Sequence, residues 1–156
     1  AILLAFETPA LVCFPALQTI PTGPVTIKLF AMGVTDLSGA YLKVQYNKSK
    51  LLYNQTIKGE FFADAQEPIF FYEHNSTEGT ITVTTSFLGS DSVAVDGTGS
   101  LVEFQFTATS VGTSTLSIVR DSTGFTASDS SISELVGPND QPIEILGYTD
   151  GIIIAQ

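Results

Sequence analysis

The sequence offers few side chains that could perform catalysis, since it contains one histidine, His74, and one cysteine, Cys13. His74 has no cysteine or second histidine at ligand spacing, so a zinc site is not predicted. A general base also needs an orienting partner that the sequence does not display, and His74 is more simply a surface residue at a strand end. Cys13 lies in the apolar stretch Leu11–Phe14 and is expected to be buried. No carboxylate spacing singles out a glycosidase pair, and we expect a protein without enzymatic activity.

Acidic side chains are the other candidates for a site, because loop carboxylates and carbonyls together form oxygen sites for calcium. Several acids lie in or beside predicted loops, namely Asp91, Asp96, Asp121, Asp129, Glu134, Asp140 and Asp150. Asp129, Glu134 and Asp140 are the candidate calcium ligands, and the alternative is that they are ordinary solvated acids. No EF-hand spacing is present, and no cofactor is required for the function that we expect.

Neighbouring aromatic residues occur at Phe61–Phe62 and at Phe70–Tyr72, and aromatic faces can stack on carbohydrates. Successive side chains of a strand point to opposite faces, so one aromatic of each pair is expected to leave the core. The chain contains no Trp, and Phe offers no polar group to a sugar hydroxyl. We therefore favour the interpretation in which the outward aromatic covers a neighbouring strand or subunit.

Three Asn-x-Ser/Thr sequons, at Asn47, Asn54 and Asn75, each lie beside a predicted turn and are candidate N-glycosylation sites. The chain begins with Ala1 followed by apolar residues, which resembles the start of a mature protein after removal of a signal peptide. We therefore expect a secreted glycoprotein that is extracellular or held at the cell surface.

The bulk composition predicts one core-forming domain. Of the 156 residues, 44% are hydrophobic and 14% are charged, which excludes a disordered chain. The net charge of −10 repels nucleic acid, because phosphate binding needs clustered Lys or Arg. No apolar run reaches about 18 residues, so no membrane span is expected.

Short runs with alternating hydrophobicity, separated by turn residues, predict an all-β sandwich. Val25–Leu29 and Val102–Ala108 alternate apolar with polar side chains. The continuous apolar run Gly151–Ala155 predicts a strand buried on both faces. Only Ser131 and Glu134 have the spacing of a capping box, which predicts one short turn of helix there.

Four segments share an order and spacing with a known family: Asp36–Asn47 with Leu51–Tyr53, Asp96–Leu101 with Phe104 and Phe106, Gly112–Leu116, and Asp150–Gly151. They resemble the cohesin-type domains of prokaryotic extracellular proteins over residues 12–156. The resemblance implies a jelly-roll sandwich of about nine strands. Cohesins bind dockerin modules through one sheet face, so it also implies a dockerin-like partner. Tyr46-Asn47-Lys48 stands where the family has Tyr-Asp-Pro.

The cohesin-like pattern leaves residues 1–10 as an apolar N-terminal extension in front of a domain at 11–156. An apolar, strand-compatible segment must be packed or paired to be ordered. It could form an extra strand on its own sheet, or it could be donated to the next subunit in a head-to-tail contact that generates filaments. The donor-strand residues are Ile2, Leu3, Leu4, Ala5 and Phe6.

Two hypotheses about function follow from these features. The first is a structural protein, a self-assembling fibre, pilus or sheath subunit that forms a homo-oligomer by strand exchange. The alternative is a cohesin-type binding module that recognises a dockerin-like partner or a carbohydrate. Removal of residues 1–9 should give monomers under the first hypothesis and should have no effect on binding under the second.

Overall fold

The computed structural model describes residues 7–62, 68–87, 95–119, 133–137 and 142–156. These residues form strands joined by turns, and no helix that could span a membrane occurs among them. The strands are β1 (Ala10–Phe14), β2 (Leu17–Ile20), β3 (Gly23–Leu37), β4 (Gly39–Tyr46), β5 (Leu51–Lys58), β6 (Pro68–Asn75), β7 (Thr80–Phe87), β8 (Val95–Ala108), β9 (Gly112–Ile118), β10 (Glu134–Val136), β11 (Pro142–Ile143), β12 (Gly147–Thr149) and β13 (Gly151–Ala155).

The strands form two sheets that face each other as a sandwich. One sheet has the order β12-β1-β3-β8-β5, and the other has the order β11-β10-β4-β9-β13-β2 with β7 and β6 added beside β4. The all-β sandwich predicted from hydrophobic periodicity is confirmed. More strands are present than the nine implied by the resemblance, partly because the N-terminal segment changes sheets after Phe14. Three short strands, β10, β11 and β12, also lie within residues 134–149.

The alternation seen in the sequence separates the core from the two outer faces. In β3, Ile27 and Leu29 are fully buried, whereas Lys28 and Phe30 lie on the outer face and are half-buried. In β8, Phe104 and Phe106 point inward in the same way. Burying such side chains contributes about 1.5–3 kcal/mol each before entropy is counted, so these inward rows provide the main driving force for the sandwich. Cys13 is fully buried, as predicted.

Two predictions about local structure were wrong. Ile153 of β13 is buried but Ile152 is 39% exposed, because only one face of its sheet packs against the other sheet. Glu134 and Leu135 belong to strand β10, which pairs with β4, so their backbone follows the sheet instead of a helical turn. Ser131, the other member of the expected capping box, lies outside the described residues.

The pairing of β3 with β8 is irregular, with register shifts at three positions along the strands. Gly33 and Asp36 have positive φ angles of 62° and 57°, and Gly97 has a φ of 111°. The Asp96 Oδ1 atom accepts a hydrogen bond from the Asp36 backbone amide at 2.8 Å, which holds one of these irregular positions. Extra residues of this kind bend a sheet locally, so the outer face here is uneven.

The described part of the N-terminal segment packs on its own domain. The Pro9 carbonyl accepts hydrogen bonds from the Leu146 and Gly147 amides at 2.8 and 3.3 Å. Thr8 lies against Gly33, and β1 runs parallel to β12. The donor-strand residues Ile2, Leu3, Leu4, Ala5 and Phe6 lie outside the described residues, so their pairing stays a prediction.

Candidate binding surface

The outer face of strands β6, β7 and β4 forms a shallow trough. Its floor consists of the short side chains Thr82, Thr84 and Ser86 of the middle strand β7, which alternate with buried Ile81 and Val83. We call this surface the threonine trough. The register of β4 with β7 is continuous over seven residue pairs, and the register of β6 with β7 over eight, so the floor is regular.

Larger side chains flank the floor on both sides. Phe71 of β6 and Tyr41 of β4 are the cross-strand neighbours of Thr84, and they are 67% and 36% exposed. Phe71 is an apolar ring left in water on a strand whose other face packs on the core. Tyr41 adds a ring with a polar hydroxyl, which is a common contact at interfaces.

The trough also carries opposite charges on its two sides. Glu73 of β6 and Lys43 of β4 are the cross-strand neighbours of Thr82. Neighbouring strands are about 4.8 Å apart, so the flanking strands lie about 10 Å from each other. The surface therefore carries one charged group of each sign, on opposite sides of β7.

Ser133 fixes the strand that carries Tyr41 and Lys43. Its hydroxyl accepts a hydrogen bond from the Lys43 amide at 2.9 Å and donates to the Lys43 carbonyl at 3.0 Å, although 90 residues separate the two. The Ser133 amide in turn donates to the Val119 carbonyl at 2.9 Å. Ser133 therefore reinforces the junction of β4 with the end of β9, where the Val119 amide also donates directly to the Lys43 carbonyl at 2.8 Å.

The candidate calcium ligands are not assembled in the part of the chain that the structure describes. Glu134 lies in β10 opposite Tyr41, whereas Asp129 and Asp140 lie outside the described residues. Within the described ranges no group of three His, Cys, Asp or Glu side chains could hold a metal ion. Among the other loop acids, Asp150 accepts a hydrogen bond from the Ile118 amide at 2.8 Å, which gives it a structural role.

His74 belongs to an aromatic cluster at the open edge of the sandwich. It lies at the end of β6, as predicted, and its ring is half-buried. The ring stacks on Tyr53 and Tyr46 with centroids 4.0 and 5.8 Å away, and its Nε2 atom is 2.6 Å from the Tyr46 hydroxyl. The cluster connects strands of both sheets, because Tyr53 belongs to β5 and His74 to β6.

Burial sets the protonation of this cluster. Desolvation lowers the pKa of His74 below its ordinary value of 6.5, so the neutral ring is favoured. Desolvation also raises the pKa of Tyr46, with a smaller contribution from Tyr53. The pKa of Tyr53 is raised mainly by burial, against the opposing effect of its hydrogen bond with Thr56. All three groups are therefore neutral near pH 7, which suits a stacked structural cluster.

The aromatic pairs follow the prediction in one place and not in the other. Phe70 packs against the core whereas Phe71 is exposed on the outer face, as alternation in a strand requires. Phe61 and Phe62 instead lie in a turn, where alternation does not apply. Phe62 is 4% exposed, and Phe61 is half-buried against it with their ring planes at 84°.

The sequons occupy different settings. Asn47 begins a turn, and Asn75 ends β6 beside the turn at 76–79. Asn54 lies within β5 and not beside a turn, at the register shift between Tyr53 and Gln55, and its amide donates to the Thr107 hydroxyl at 2.8 Å. Glycosylation at the three sites stays a prediction.

The threonine trough was missed at the sequence level even though part of its signal was visible. Thr82 and Thr84 alternate with Ile81 and Val83, which indicates a polar outer face. Which strands lie beside β7 could not be read from this pattern, because Tyr41 and Thr84 are far apart in the chain and are joined only by the topology.

The two facing sheets define an all-β sandwich domain. The family model of the cohesin domain matches residues 19–145. That match extends over most of the chain, which therefore belongs to the cohesin domain family. No curated protein matches the chain by sequence.

Solved structures agree with this assignment. A type II cohesin domain from the cellulosome of Acetivibrio cellulolyticus is similar with a TM-score of 0.73 and 16% identity, covering 92% of each chain. A non-cellulosomal cohesin from the hyperthermophilic archaeon Archaeoglobus fulgidus gives 0.69 and 13%, covering 94% of this chain and 90% of that one. The third cohesin ScaC of Acetivibrio cellulolyticus, solved in complex with the ScaB dockerin, gives 0.71 and 14%, covering 94% and 97%. These likenesses establish the fold.

Proposed function

We propose that the chain is a non-enzymatic cohesin-type binding module that recognises a dockerin-like partner through the threonine trough. The exposed ring of Phe71 is the observation that carries this proposal, because 67% of an aromatic side chain is left in water on a regular sheet face. Membership of the cohesin family supports the class of partner, since a similar cohesin has been solved with a dockerin.

The partner that fits the trough is a helix. Two ridges about 10 Å apart, with small hydroxyl side chains between them, leave room for one helix packed along β7. Phe71 and Tyr41 would contact apolar side chains of that helix, which is the helix-in-groove mode of recognition. Aromatic residues at the centre of an interface supply a large share of its affinity, whereas Glu73 and Lys43 at the sides favour one helix orientation.

Calorimetric titration with the ScaB dockerin of the similar complex, and with a panel of other dockerins, tests the proposal. We expect at least one dockerin to bind, and Phe71→Ala to weaken that binding by about 2 kcal/mol, close to 30-fold. Phe61→Ala is the matched control, because it removes an aromatic ring from the opposite sheet face. Absence of binding to every dockerin, or equal affinity of the wild type and Phe71→Ala, would contradict the proposal.

The hypothesis of a fibre or pilus subunit rests on Ile2–Phe6, which lie outside the described residues. Deletion of residues 1–6 tests it cleanly, because Thr8 and Pro9 contact the domain itself and remain in place. If assemblies formed by the full chain in negative-stain microscopy disappear on deletion, strand donation is supported. Unchanged dockerin affinity of the deleted chain would leave the binding module as the function of the folded domain.

An extracellular or cell-surface location agrees with this function and is part of the proposal. The three sequons support it. Mass spectrometry of the protein from its native source tests this point, because it reports any glycan on Asn47, Asn54 or Asn75. Asp129, Glu134 and Asp140 are the candidate calcium ligands. Calorimetric titration of calcium into protein that has been freed of metal with a chelator tests whether they bind this ion.

A further inference from the structure

A cavity of about 410 Å³ opens on the other outer face of the sandwich, on the five-stranded sheet. This volume is within the range of about 300–1,000 Å³ that is typical of small-molecule sites. Its lining side chains come from β3 (Lys28 and Phe30), the segment after β5 (Glu60 and Phe61) and β8 (Asp96 and Thr98). None of them belongs to the threonine trough, which lies on the opposite sheet.

Glycine residues shape one wall of this cavity. A Cβ atom at Gly99 would lie 2.6 Å from the Phe61 ring, so only glycine lets the ring lie over β8 at this position. A Cβ atom at Gly59 would lie 2.3 Å from the Ser100 carbonyl oxygen, so the segment that carries Phe61 also depends on glycine to approach β8. The Ser100 carbonyl accepts a hydrogen bond from the Phe61 amide at 2.8 Å. The position of the Phe61 ring is therefore fixed by the backbone.

Hydrogen bonds to the backbone also fix the polar groups of the cavity. The Ser100 hydroxyl accepts from the Glu60 amide at 3.0 Å, the Thr98 hydroxyl accepts from the Gly33 amide at 3.0 Å, and Asp96 Oδ1 accepts from the Asp36 amide at 2.8 Å. The irregular pairing of β3 with β8 thus places hydroxyl and carboxylate groups beside two aromatic rings.

The chemistry of the lining selects one ligand class. Phe30 and Phe61 offer flat apolar faces, Lys28 offers a donor, and Glu60 and Asp96 offer acceptors. An anionic ligand would meet two carboxylates against one ammonium group, and a purely apolar ligand would leave the polar groups desolvated. A neutral pyranose sugar has an apolar ring face together with hydroxyl groups that both donate and accept. We propose that this cavity binds a neutral saccharide, with Phe61 as the stacking residue.

Phe61 does not act alone, because Lys28, Glu60 and Asp96 supply the polar contacts that a phenyl ring lacks. Phe14, which is 63% exposed and lies edge-on to Phe30 at 6.2 Å between ring centroids, extends the aromatic surface beyond the cavity. A chain of several sugars could therefore continue from the cavity across the sheet.

Nuclear magnetic resonance titration of the full chain with cellotetraose, xylotetraose, mannotetraose and tetra-N-acetylchitotetraose tests the proposal. We expect at least one of them to bind, with chemical-shift changes centred on Phe61, Thr98 and Gly99. Phe61→Ala should weaken binding at least about tenfold, as expected for loss of a buried stacking contact. Phe71→Ala, which removes the exposed ring of the opposite face, should leave saccharide affinity within about twofold of the wild type.

Glu60→Gln provides a second variant that keeps the shape of the cavity and removes one charge. Glu60 is exposed, and the hydrogen bond from its backbone amide to the Ser100 hydroxyl does not involve the side chain, so the fold should be retained. We expect a several-fold loss of saccharide affinity. Absence of binding of all four tetrasaccharides at millimolar concentration would overturn the proposal, as would shift changes centred on Phe71 or full affinity in both variants. Because dockerin binding is measured separately, its failure would not affect this result.

Discussion

The two outer faces of this sandwich differ in how regularly their strands are paired. On the threonine trough β4 and β7 stay in register from Gly39 to Gln45. On the opposite face β3 and β8 change register three times between Leu29 and Leu37. A continuous register keeps the strands beneath the trough evenly spaced, whereas bulges bend the strands of the opposite sheet and make its face uneven. Strand pairing therefore gives the two faces different shapes.

The two outer faces differ in shape although their residue types are similar. Both faces contain exposed aromatic rings, hydroxyl groups and charges of both signs. Phe71 on the regular face stands free, whereas Phe61 on the bulged face is held over Gly99 and forms the wall of a cavity. The same residue types thus leave a free-standing ring on one sheet and line an open cavity on the other.

The largest effect on stability is expected from a substitution in the core between the two sheets. Phe104 is fully buried between the sheets, and Phe104→Ala should lower the free energy of unfolding by about 3–5 kcal/mol. Denaturant unfolding measures this loss, and Phe104→Leu is the control that keeps most of the volume. If the two faces depend on one core, both dockerin and saccharide binding should weaken together. Loss of only one of them would show that the sheets are independently stable.

A smaller effect should distinguish the bulged sheet from the regular one. Gly33 has a φ of 62°, and a Cβ atom there would lie 2.7 Å from Thr8 Cβ. Gly33→Ala should therefore destabilise the fold by about 2 kcal/mol, through both backbone strain and this clash. Gly39 of the regular sheet has no positive φ, and its Cβ atom would lie 3.2 Å from Ser86 and Val136, so Gly39→Ala should cost no more than about 1 kcal/mol.

Thermal and denaturant unfolding of both variants measure this difference. The double variant Thr8→Gly with Gly33→Ala should recover part of the loss, because it removes the clash and leaves the backbone strain. Equal destabilisation by Gly33→Ala and Gly39→Ala would show that the irregular pairing imposes no special demand on the backbone.

A third change tests the trough itself. Thr84 lies on its floor between Phe71 and Tyr41, so Thr84→Arg should block a partner helix and weaken dockerin binding by about 1.4 kcal/mol, or tenfold. Thr26→Arg is the matched control, because Thr26 points outward from β3 on the opposite sheet. Calorimetric titration compares the two. A loss of affinity in Thr26→Arg with none in Thr84→Arg would move the partner site to the five-stranded sheet.

The sequence predicted the inward rows of the sandwich because hydrophobic alternation records burial directly. Ile27, Leu29 and Phe104 were identified in this way. Sites formed across strands left weaker signals. Thr84 meets Tyr41 only because β7 pairs with β4, and Phe61 reaches the cavity only because Gly59 and Gly99 lack side chains. Both facts depend on pairing between distant segments, which a single sequence does not record.

Exposure was predicted least well for residues whose burial depends on what covers each side of their strand. Ile152 belongs to an apolar run that predicted burial on both faces, yet its sheet packs on one side only. His74 is polar and was expected on the surface, yet it fills the edge between the sheets. Local composition describes a strand, whereas exposure depends on what covers each side of it.

The smallest effect concerns the edge where the two sheets meet. Neutral His74 stacks on Tyr53 of one sheet and on Tyr46 of the other, and burial lowers its pKa from 6.5. The unfolded chain binds a proton on this residue more readily than the folded chain does. The stability that neutral His74 contributes is therefore fully present above about pH 6.5 and is lost as the pH falls through the lower pKa of the folded state.

We accordingly expect the melting temperature to fall further between pH 7.5 and pH 5 in the wild type than in His74→Gln, whose side chain does not titrate. Because Tyr53 and His74 join β5 to β6 at the edge beside the trough, acid should loosen that edge and leave the cavity on β3 and β8 unchanged. Hydrogen exchange at pH 5 should show faster opening of β6 than of β3, and equal protection of the two strands would contradict the proposed role of this cluster.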